Sequence, residues 1–170
     1  MAKILETERL ILQTWTLEDS EEFLKICSDA EVMNFIGDGK PYNLEQANKF
    51  LIWAENYQRE NGFCRWKVLE KVSGEIVGSC GFVRLRETGE IELGYLLARK
   101  FWGKGFATEA ARGCLQFGFG KLGFREIIAL TDLENVASRN VLEKIGFIKR
   151  GIEVYNEEKS LVYLAKKSNE

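Results

Sequence analysis

The pattern of apolar and polar positions changes character near Gly62. Ahead of this glycine, a strand-like run at 9–15 precedes two segments whose apolar residues recur at helical spacing, one starting at Thr16 and one at Asn43. Both starting residues are typical helix N-caps. A cluster of helix breakers at 37–41, which includes the single proline, separates the two segments. The first third of the chain is therefore predicted to run strand, helix, loop, helix.

Beyond Gly62 the apolar residues alternate with period two. Three strands are predicted at 63–69, 76–84 and 90–97, and the short turns between them favour antiparallel neighbours. A helix ending near Phe119 and a strand at 124–131 follow. A strand, helix, strand unit of this length implies a right-handed crossover and a parallel pair.

The last part of the chain predicts a helix at 135–145 and two strands at 147–154 and 160–165. No linker, repeat or low-complexity tract interrupts the pattern, so residues 1–170 are expected to form one domain. The expected fold class is α/β (α+β), with a mixed, mostly antiparallel seven-stranded sheet flanked by about four helices.

The charges nearly cancel and are interspersed, with 24 Lys and Arg against 26 Asp and Glu. Such a balance argues against nucleic acid as a partner. No apolar run approaches the roughly 20 residues of a membrane-spanning helix, and the first residues lack the apolar stretch of a signal peptide. We therefore expect no membrane association and a cytoplasmic protein. The four cysteines stand singly in apolar segments, which predicts buried thiols.

Histidine is absent from the chain. This excludes Ser-His-Asp and Cys-His nucleophilic arrangements and zinc held by histidine, so no metal site is expected. A base in this protein has to be a carboxylate, a phenol, a thiolate, a lysine or water.

The sharpest motif is a strand followed by a glycine turn and a helix, centred on Gly103, Lys104 and Gly105. Glycines allow the backbone to approach a bulky anion, and the amide hydrogens at the start of the helix point at it. Lys104 adds a cation. The spacing fits neither a Walker A loop nor a Rossmann fingerprint, which has Gly or Ala where Thr108 stands. The pattern therefore predicts a phosphate site of another kind.

Gly94 lies inside the preceding strand, which is unusual for glycine. Two interpretations stay open. A bulge at Gly94 would splay this strand from its parallel neighbour and expose backbone groups, or the glycine accommodates packing.

The chain resembles the GNAT superfamily of N-acetyltransferases over nearly its full length, and within it the branch that acetylates the N-termini of ribosomal proteins. The segments that carry the resemblance are Thr7 to Leu12, Gly78 and Gly81 before Phe82, Glu92 to Tyr95, Trp102 to Ala110, Asn135 to Ser138 and Lys144 to Phe147. The resemblance implies acetyl-CoA as cosubstrate and an amine as acceptor, allows a homodimer, and implies a splayed parallel strand pair.

By this resemblance, the pantetheine arm of acetyl-CoA lies on the backbone of Leu96, Leu97 and Ala98. The pyrophosphate lies on the turn and first helical residues, which are Gly103, Lys104, Gly105, Phe106, Ala107 and Thr108. Asn135 approaches the pantetheine, serves as a plain N-cap, or does both. Lys100 replaces the Arg or Gln that opens the family's acyl-CoA motif, so its contact stays open.

Glu92 is the candidate base, because its position resembles that of the catalytic glutamate in some members; an ion-paired strand residue is the alternative. Leu142 stands where many relatives carry the tyrosine that protonates the leaving thiolate. Ser138 matches a serine that branch members place near the sulfur, and it either supplies this proton or is an ordinary first-turn hydroxyl.

The expected reaction is direct attack of a primary amine on the thioester in a ternary complex. A protein or peptide N-terminal α-amine is the leading acceptor. A small-molecule amine, or an acyl-CoA-binding module without turnover, are the alternatives. The resemblance places the acceptor cleft between the two N-terminal helices and the strands around Trp66 and Val83. The candidate walls are Met33, Phe35, Tyr42 and Trp66, and the alternative is that these side chains belong to the core.

Overall fold

The computed structural model describes residues 1–169. The strands are β1 (Lys3–Glu6), β2 (Leu10–Gln13), β3 (Arg65–Glu70), β4 (Ile76–Arg84), β5 (Ile91–Leu97), β6 (Glu126–Thr131), β7 (Ile148–Tyr155) and β8 (Glu158–Lys166). The helices are α1 (Ser20–Cys27), α2 (Ala30–Met33), α3 (Leu44–Asn61), α4 (Phe106–Gly120) and α5 (Val136–Lys144). The strands form one sheet in the order β1-β2-β3-β4-β5-β6-β8-β7.

The expected fold class is confirmed, with eight strands and five helices in place of the expected seven and four. The additional strand, β1, pairs antiparallel with β2 at the sheet edge. It has only four residues, too few for a clear alternating pattern. The additional helix, α2, is a single turn capped by Asp29, whose side chain accepts a hydrogen bond from the Glu31 amide.

The parallel pair at the centre of the sheet is open for most of its length. β5 and β6 are joined through one residue pair, Glu92 and Ile128, near the start of both strands. From there the strands diverge towards their carboxyl ends, while every other neighbouring pair is antiparallel. A slot therefore opens between β5 and β6.

The two faces of the sheet are covered by different elements. Trp66 packs edge-on against Phe82 and against Phe117 of α4, with ring centroids 5.9 and 5.7 Å apart. Lys67 points to the opposite face, where its ammonium lies 2.7 Å from the carboxylate of Asp19, just ahead of α1. Side chains at neighbouring positions of a strand therefore lie on opposite sides of the slot.

All four cysteines are buried and free, as expected. Within residues 1–169, no helix combines the length and the apolar character needed to cross a membrane.

Candidate functional site

The glycine turn ahead of α4 has the geometry of an anion cradle. Gly103 and Gly105 adopt left-handed φ values of 73° and 79°, and the space where a side chain would stand at Gly103 is open to 4 Å. Gly105 is the N-cap of the 15-residue helix α4, and its carbonyl accepts the first helical bond from Glu109 at 3.0 Å. The amide hydrogens of 106–108 therefore have no partner within the helix. They and the helix dipole provide positive potential at the turn.

Arg9 fastens this turn to the first hairpin. Its Nη1 donates to the Lys104 carbonyl at 2.9 Å, its Nε lies 2.6 Å from Glu109 Oε2, and its guanidinium carbon sits 4.3 Å above the Phe106 ring. Sequence reasoning did not identify this residue. It lies almost 100 positions ahead of the turn, and only the pairing of β2 into the sheet brings the two together.

Glu109 holds Arg9 in place, and we call this pair of residues the clamp. Its carboxylate accepts hydrogen bonds from the Thr7 hydroxyl at 2.6 Å and from the Arg9 backbone amide at 2.7 Å. Burial works to raise the pKa of Glu109, but the hydrogen bonds from Thr7 and Arg9 outweigh it and hold the pKa below its usual range. The clamp is therefore fully charged at neutral pH.

The ammonium groups of the two lysines near the turn lie against other side chains. The Lys100 ammonium forms an ion pair with Glu75. The Lys104 ammonium lies 5.6 Å from the centre of the Phe101 ring, while the Lys104 carbonyl is held by Arg9. Neither ammonium is fixed above the amides of the turn, so these amides are the principal fixed donors there.

The phase of the β4–β5 ladder decides which backbone groups of β5 face the slot. The Ala98 amide donates to the Val77 carbonyl at 2.9 Å, and the Leu85 amide donates to the Glu90 carbonyl at 2.8 Å. In an antiparallel ladder such pairs recur at every second residue. The even-numbered residues of β5 therefore bond to β4, and the odd-numbered residues turn their amides and carbonyls towards β6.

This phase separates the residues expected to hold the pantetheine. The amides of Leu96 and Ala98 donate to β4, whereas those of Leu97 and Tyr95 point into the slot. The Leu97 carbonyl already accepts a hydrogen bond from the Trp102 indole at 2.9 Å. The groups that face the slot are therefore the Leu97 amide and both backbone groups of Tyr95.

Gly94 makes room for a side chain and forms no bulge in its pairing with β4. The β4–β5 register runs without a shift from Gly78 to Arg84, so the bulge, one of the two interpretations of Gly94, is absent from this pairing. A Cβ on Gly94 would lie 2.5 Å from the guanidinium carbon of Arg65, which crosses over it from β3.

Arg65 reaches across Gly94 to Glu92. Its Nη2 lies 3.0 Å from Glu92 Oε1, and the carboxylate side chain is 14% exposed. Both expectations for Glu92 are therefore compatible with its position, since it is ion-paired and also lies beside the slot. Sequence reasoning missed Arg65, because the contact joins two strands that β4 separates in the sheet and passes over Gly94.

Ser138 lies at the other side of the slot, in the first turn of α5. Its amide donates to Oδ1 of Asn135 at 3.1 Å, so Asn135 is the N-cap of this helix. The Ser138 hydroxyl lies 3.0 Å from the hydroxyl of Tyr95. Leu142 is 1% exposed and belongs to the core.

The candidate walls of the acceptor cleft divide into two groups. Met33 and Trp66 are buried core residues, so they are not walls. Phe35 is exposed and Tyr42 is half-buried. Burial raises the pKa of Tyr42, and the charge of Arg65 opposes part of this rise.

Among residues 1–169, no three Cys, Asp or Glu side chains gather closely enough to hold a metal ion. The site consists of a backbone anion cradle, an open strand edge, a carboxylate with its guanidinium, and a pair of hydroxyls.

Known proteins share both the sequence and the architecture. N-acetyltransferase p20 of Bacillus licheniformis is 34% identical over 149 residues, which cover 87% of this chain and 84% of that protein. The FsC-acetyl coenzyme A-N(2)-transacetylase of Aspergillus fumigatus is 32% identical over 84% of this chain and 63% of its own length. The ribosomal L7/L12 alpha-N-protein acetyltransferase RimL, solved in complex with coenzyme A, superposes with a TM-score of 0.81 at 15% identity over 97% of this chain and 98% of its own.

The family model described as the acetyltransferase (GNAT) domain matches residues 9–148, which include the phosphate turn, the open edge of β5 and the start of α5. With this match over most of its length, the chain belongs to the GNAT family of acetyltransferases and is an acyltransferase.

Proposed function

We propose that this enzyme transfers acetyl from acetyl-CoA to the α-amine at a protein or peptide N-terminus, by direct attack in a ternary complex. The observation that carries the proposal is the continuity between the phosphate turn and the unpaired edge of β5. A diphosphate on the amides of 106–108 leaves the attached pantetheine arm lying along that edge.

The backbone supplies the coenzyme contacts. The pantetheine amides pair with the slot-facing groups of Leu97 and Tyr95, as an added strand would. The Asn135 cap uses the oxygen of the amide and leaves the nitrogen for the arm. Of the residues expected from the family, Gly103 and Gly105 act through their open conformation, and Phe106, Ala107 and Thr108 through their amides.

The carboxylate of Glu92 serves as the base. It lies on the even-numbered face of β5, beside the slot, and Arg65 fixes one of its oxygens and leaves the other for the incoming ammonium. A neutral amine then attacks the thioester carbonyl, with a slot-facing amide of β5 as donor to the developing oxyanion. Ser138 lies on the opposite face and protonates the departing thiolate.

The chemistry favours an α-amine over a lysine side chain. An α-amine has a reference pKa near 8 and a lysine near 10.4, so the α-amine gives up its proton about 250-fold more readily. One weak carboxylate base suffices for the former. RimL, which shares this fold, is described as an alpha-N-protein acetyltransferase, so that protein acts on the same kind of amine.

A small-molecule amine is the second candidate acceptor. The relative from Aspergillus fumigatus, named as an N(2)-transacetylase, is 32% identical over 84% of this chain.

Thiol release from acetyl-CoA tests these candidates. The enzyme is offered peptides beginning with Ala or Ser, the same peptides with a blocked N-terminus and a free lysine, and a set of amino acids and polyamines. We expect release with the free N-termini and none with the blocked ones. Turnover confined to small amines would select the second candidate. Binding of acetyl-CoA without release for any acceptor would identify a binding module and contradict the proposal.

A further inference from the structure

A pair of hydroxyl groups spans the slot on the face opposite Glu92. Tyr95 lies on β5 and Ser138 on α5, and their side-chain oxygens are 3.0 Å apart. The Tyr95 hydroxyl also lies 3.3 Å from the Ser138 carbonyl. Because side chains alternate along a strand, Tyr95 and Glu92 project to opposite faces of β5.

The pair lies where the thioester end of the coenzyme has to come. From the phosphate turn, an arm laid along β5 passes Leu97 first and reaches Tyr95 two residues later, at about 3.3 Å per residue. Past Tyr95 the slot closes towards the bridge between Glu92 and Ile128. The hydroxyl pair and the carboxylate therefore flank the same stretch of the slot from its two sides.

We propose that Tyr95 is a positioning residue for the leaving group, which delivers a proton to the departing thiolate through Ser138. The inference rests on the proposed acetyl transfer. As the amine nitrogen bonds to the carbonyl carbon and the carbon–sulfur bond breaks, the thiolate takes the proton of the Ser138 hydroxyl, and Ser138 takes that of Tyr95. Glu92 first passes the proton of the incoming ammonium to solvent, and it then takes the proton that the amine nitrogen loses as the amide forms and releases that one to solvent as well. Solvent restores the proton of Tyr95.

Three features of the pair support this role. With Tyr95 as the donor to Ser138, the serine proton is free to point into the slot. Burial raises the pKa of Tyr95 to about 12, so the phenol keeps its proton at neutral pH. Leu142 has no ionisable hydrogen on its side chain and is buried in the core, so it provides no alternative donor.

The test is a double-mutant cycle with Tyr95→Phe and Ser138→Ala, in which kcat, the KM for acetyl-CoA and the coenzyme affinity are measured separately. We expect Ser138→Ala to lower kcat about 100-fold and Tyr95→Phe about 10-fold, at nearly unchanged coenzyme affinity. The double variant should be no slower than Ser138→Ala alone, since the tyrosine acts only through the serine.

Tyr163→Phe is the matched control. Tyr163 is a buried tyrosine whose hydroxyl donates to Glu143 Oε1 at 2.8 Å, so it too bonds to α5, but away from the slot. Its loss should cost a comparable amount of stability and leave kcat unchanged. A second measurement needs no substitution at Tyr95: the single-turnover rate of the unaltered enzyme should fall in D₂O, because two protons move with the departing sulfur.

The outcomes separate the relay from the proposed function. An unchanged kcat in Tyr95→Phe, additive losses in the cycle, a loss of coenzyme affinity equal to the loss of kcat/KM, or the absence of a solvent isotope effect would each overturn the relay. No thiol release by the unaltered enzyme with any amine would overturn the proposed function and the relay together.

Discussion

The phosphate turn and the open stretch of β5 lie at two ends of one coenzyme path, yet they use different chemical groups. At the turn, the working groups are backbone amides, which two left-handed glycines and a helix start make available. Along the slot, backbone groups of Leu97 and Tyr95 work together with side chains that arrive from β3, β5 and α5. The first region is encoded locally, and the second depends on the whole sheet being assembled.

This difference predicts how each region fails. A backbone site is lost when a side chain or a charge intrudes, and it is insensitive to most other changes. A side-chain site loses rate by steps as individual groups are removed, while the coenzyme stays bound.

The largest expected effect is that of Gly105→Glu. A side chain here is strained at φ 79° and brings a carboxylate into the phosphate cradle, so coenzyme affinity should fall by at least about 100-fold in calorimetry. Gly123→Glu is the control, because that glycine is also left-handed, at φ 72°, with open space around it. Equal affinity losses in both variants would show that strain, and not the cradle, is responsible.

Glu92→Gln should act on rate alone. Removal of the base is expected to lower kcat about 100-fold with the coenzyme affinity kept. Glu90→Gln is the matched control, since Glu90 directly precedes β5 two residues before Glu92 but pairs with Arg150 at 2.7 Å and with Tyr155 at 3.0 Å. Turnover by Glu92→Gln at the rate of the unaltered enzyme would remove Glu92 from the mechanism.

Glu109→Gln tests the clamp behind the turn. The amide keeps the shape but loses the charge that holds Arg9 against the Lys104 carbonyl, so coenzyme affinity should fall about 10-fold and kcat should change little. If affinity stayed the same in calorimetry while the melting temperature fell, the clamp would serve stability only.

Acid should weaken the same clamp. Because the pKa of Glu109 is lower in the folded protein than in the unfolded chain, its contribution to stability is complete above about pH 4.3 and is lost as the pH falls through the lower folded value. The difference in urea midpoint between the unaltered enzyme and Glu109→Gln should be full at pH 7 and shrink below about pH 4. A difference that stayed constant with pH would show that the carboxylate charge is not what matters.

Gly94→Ala gives the smallest expected effect. Its methyl group would displace the flexible guanidinium of Arg65 and free Glu92 from its partner, which should reduce kcat roughly threefold with little change in stability. Gly120→Ala, where the added methyl meets nothing within 4 Å, is the control in the same assay. A large fall in melting temperature for Gly94→Ala alone would show that Arg65 cannot move aside.

The sequence predicts the fold class and the phosphate turn because both are written in local patterns. Period-two alternation marks β3 to β5, and glycines two residues apart before an apolar helix mark the turn. β1 and α2 are not predicted, because each has only four residues and these are too few to show a periodic pattern.

The contacts that complete the site are non-local, and single-chain patterns carry no signal for them. Arg9 and Glu109 are 100 residues apart, and Tyr95 and Ser138 are 43 apart. Gly94 stands out in the sequence as an unusual strand residue, but the reason for it lies in Arg65, two strands away. A glycine inside a strand therefore marks the position as special, but the sequence does not show which side chain needs the space.

The single bridge between Glu92 and Ile128 has a mechanical consequence. It divides the sheet into a five-strand and a three-strand part that share one backbone pairing, with α4 as the covalent crossover between them. Anything that pairs with the free edge of β5 while touching α5 ties the two parts together. Occupancy should therefore appear as a rise in melting temperature that grows with the logarithm of coenzyme concentration, and as slower amide exchange at Tyr95 and Leu97.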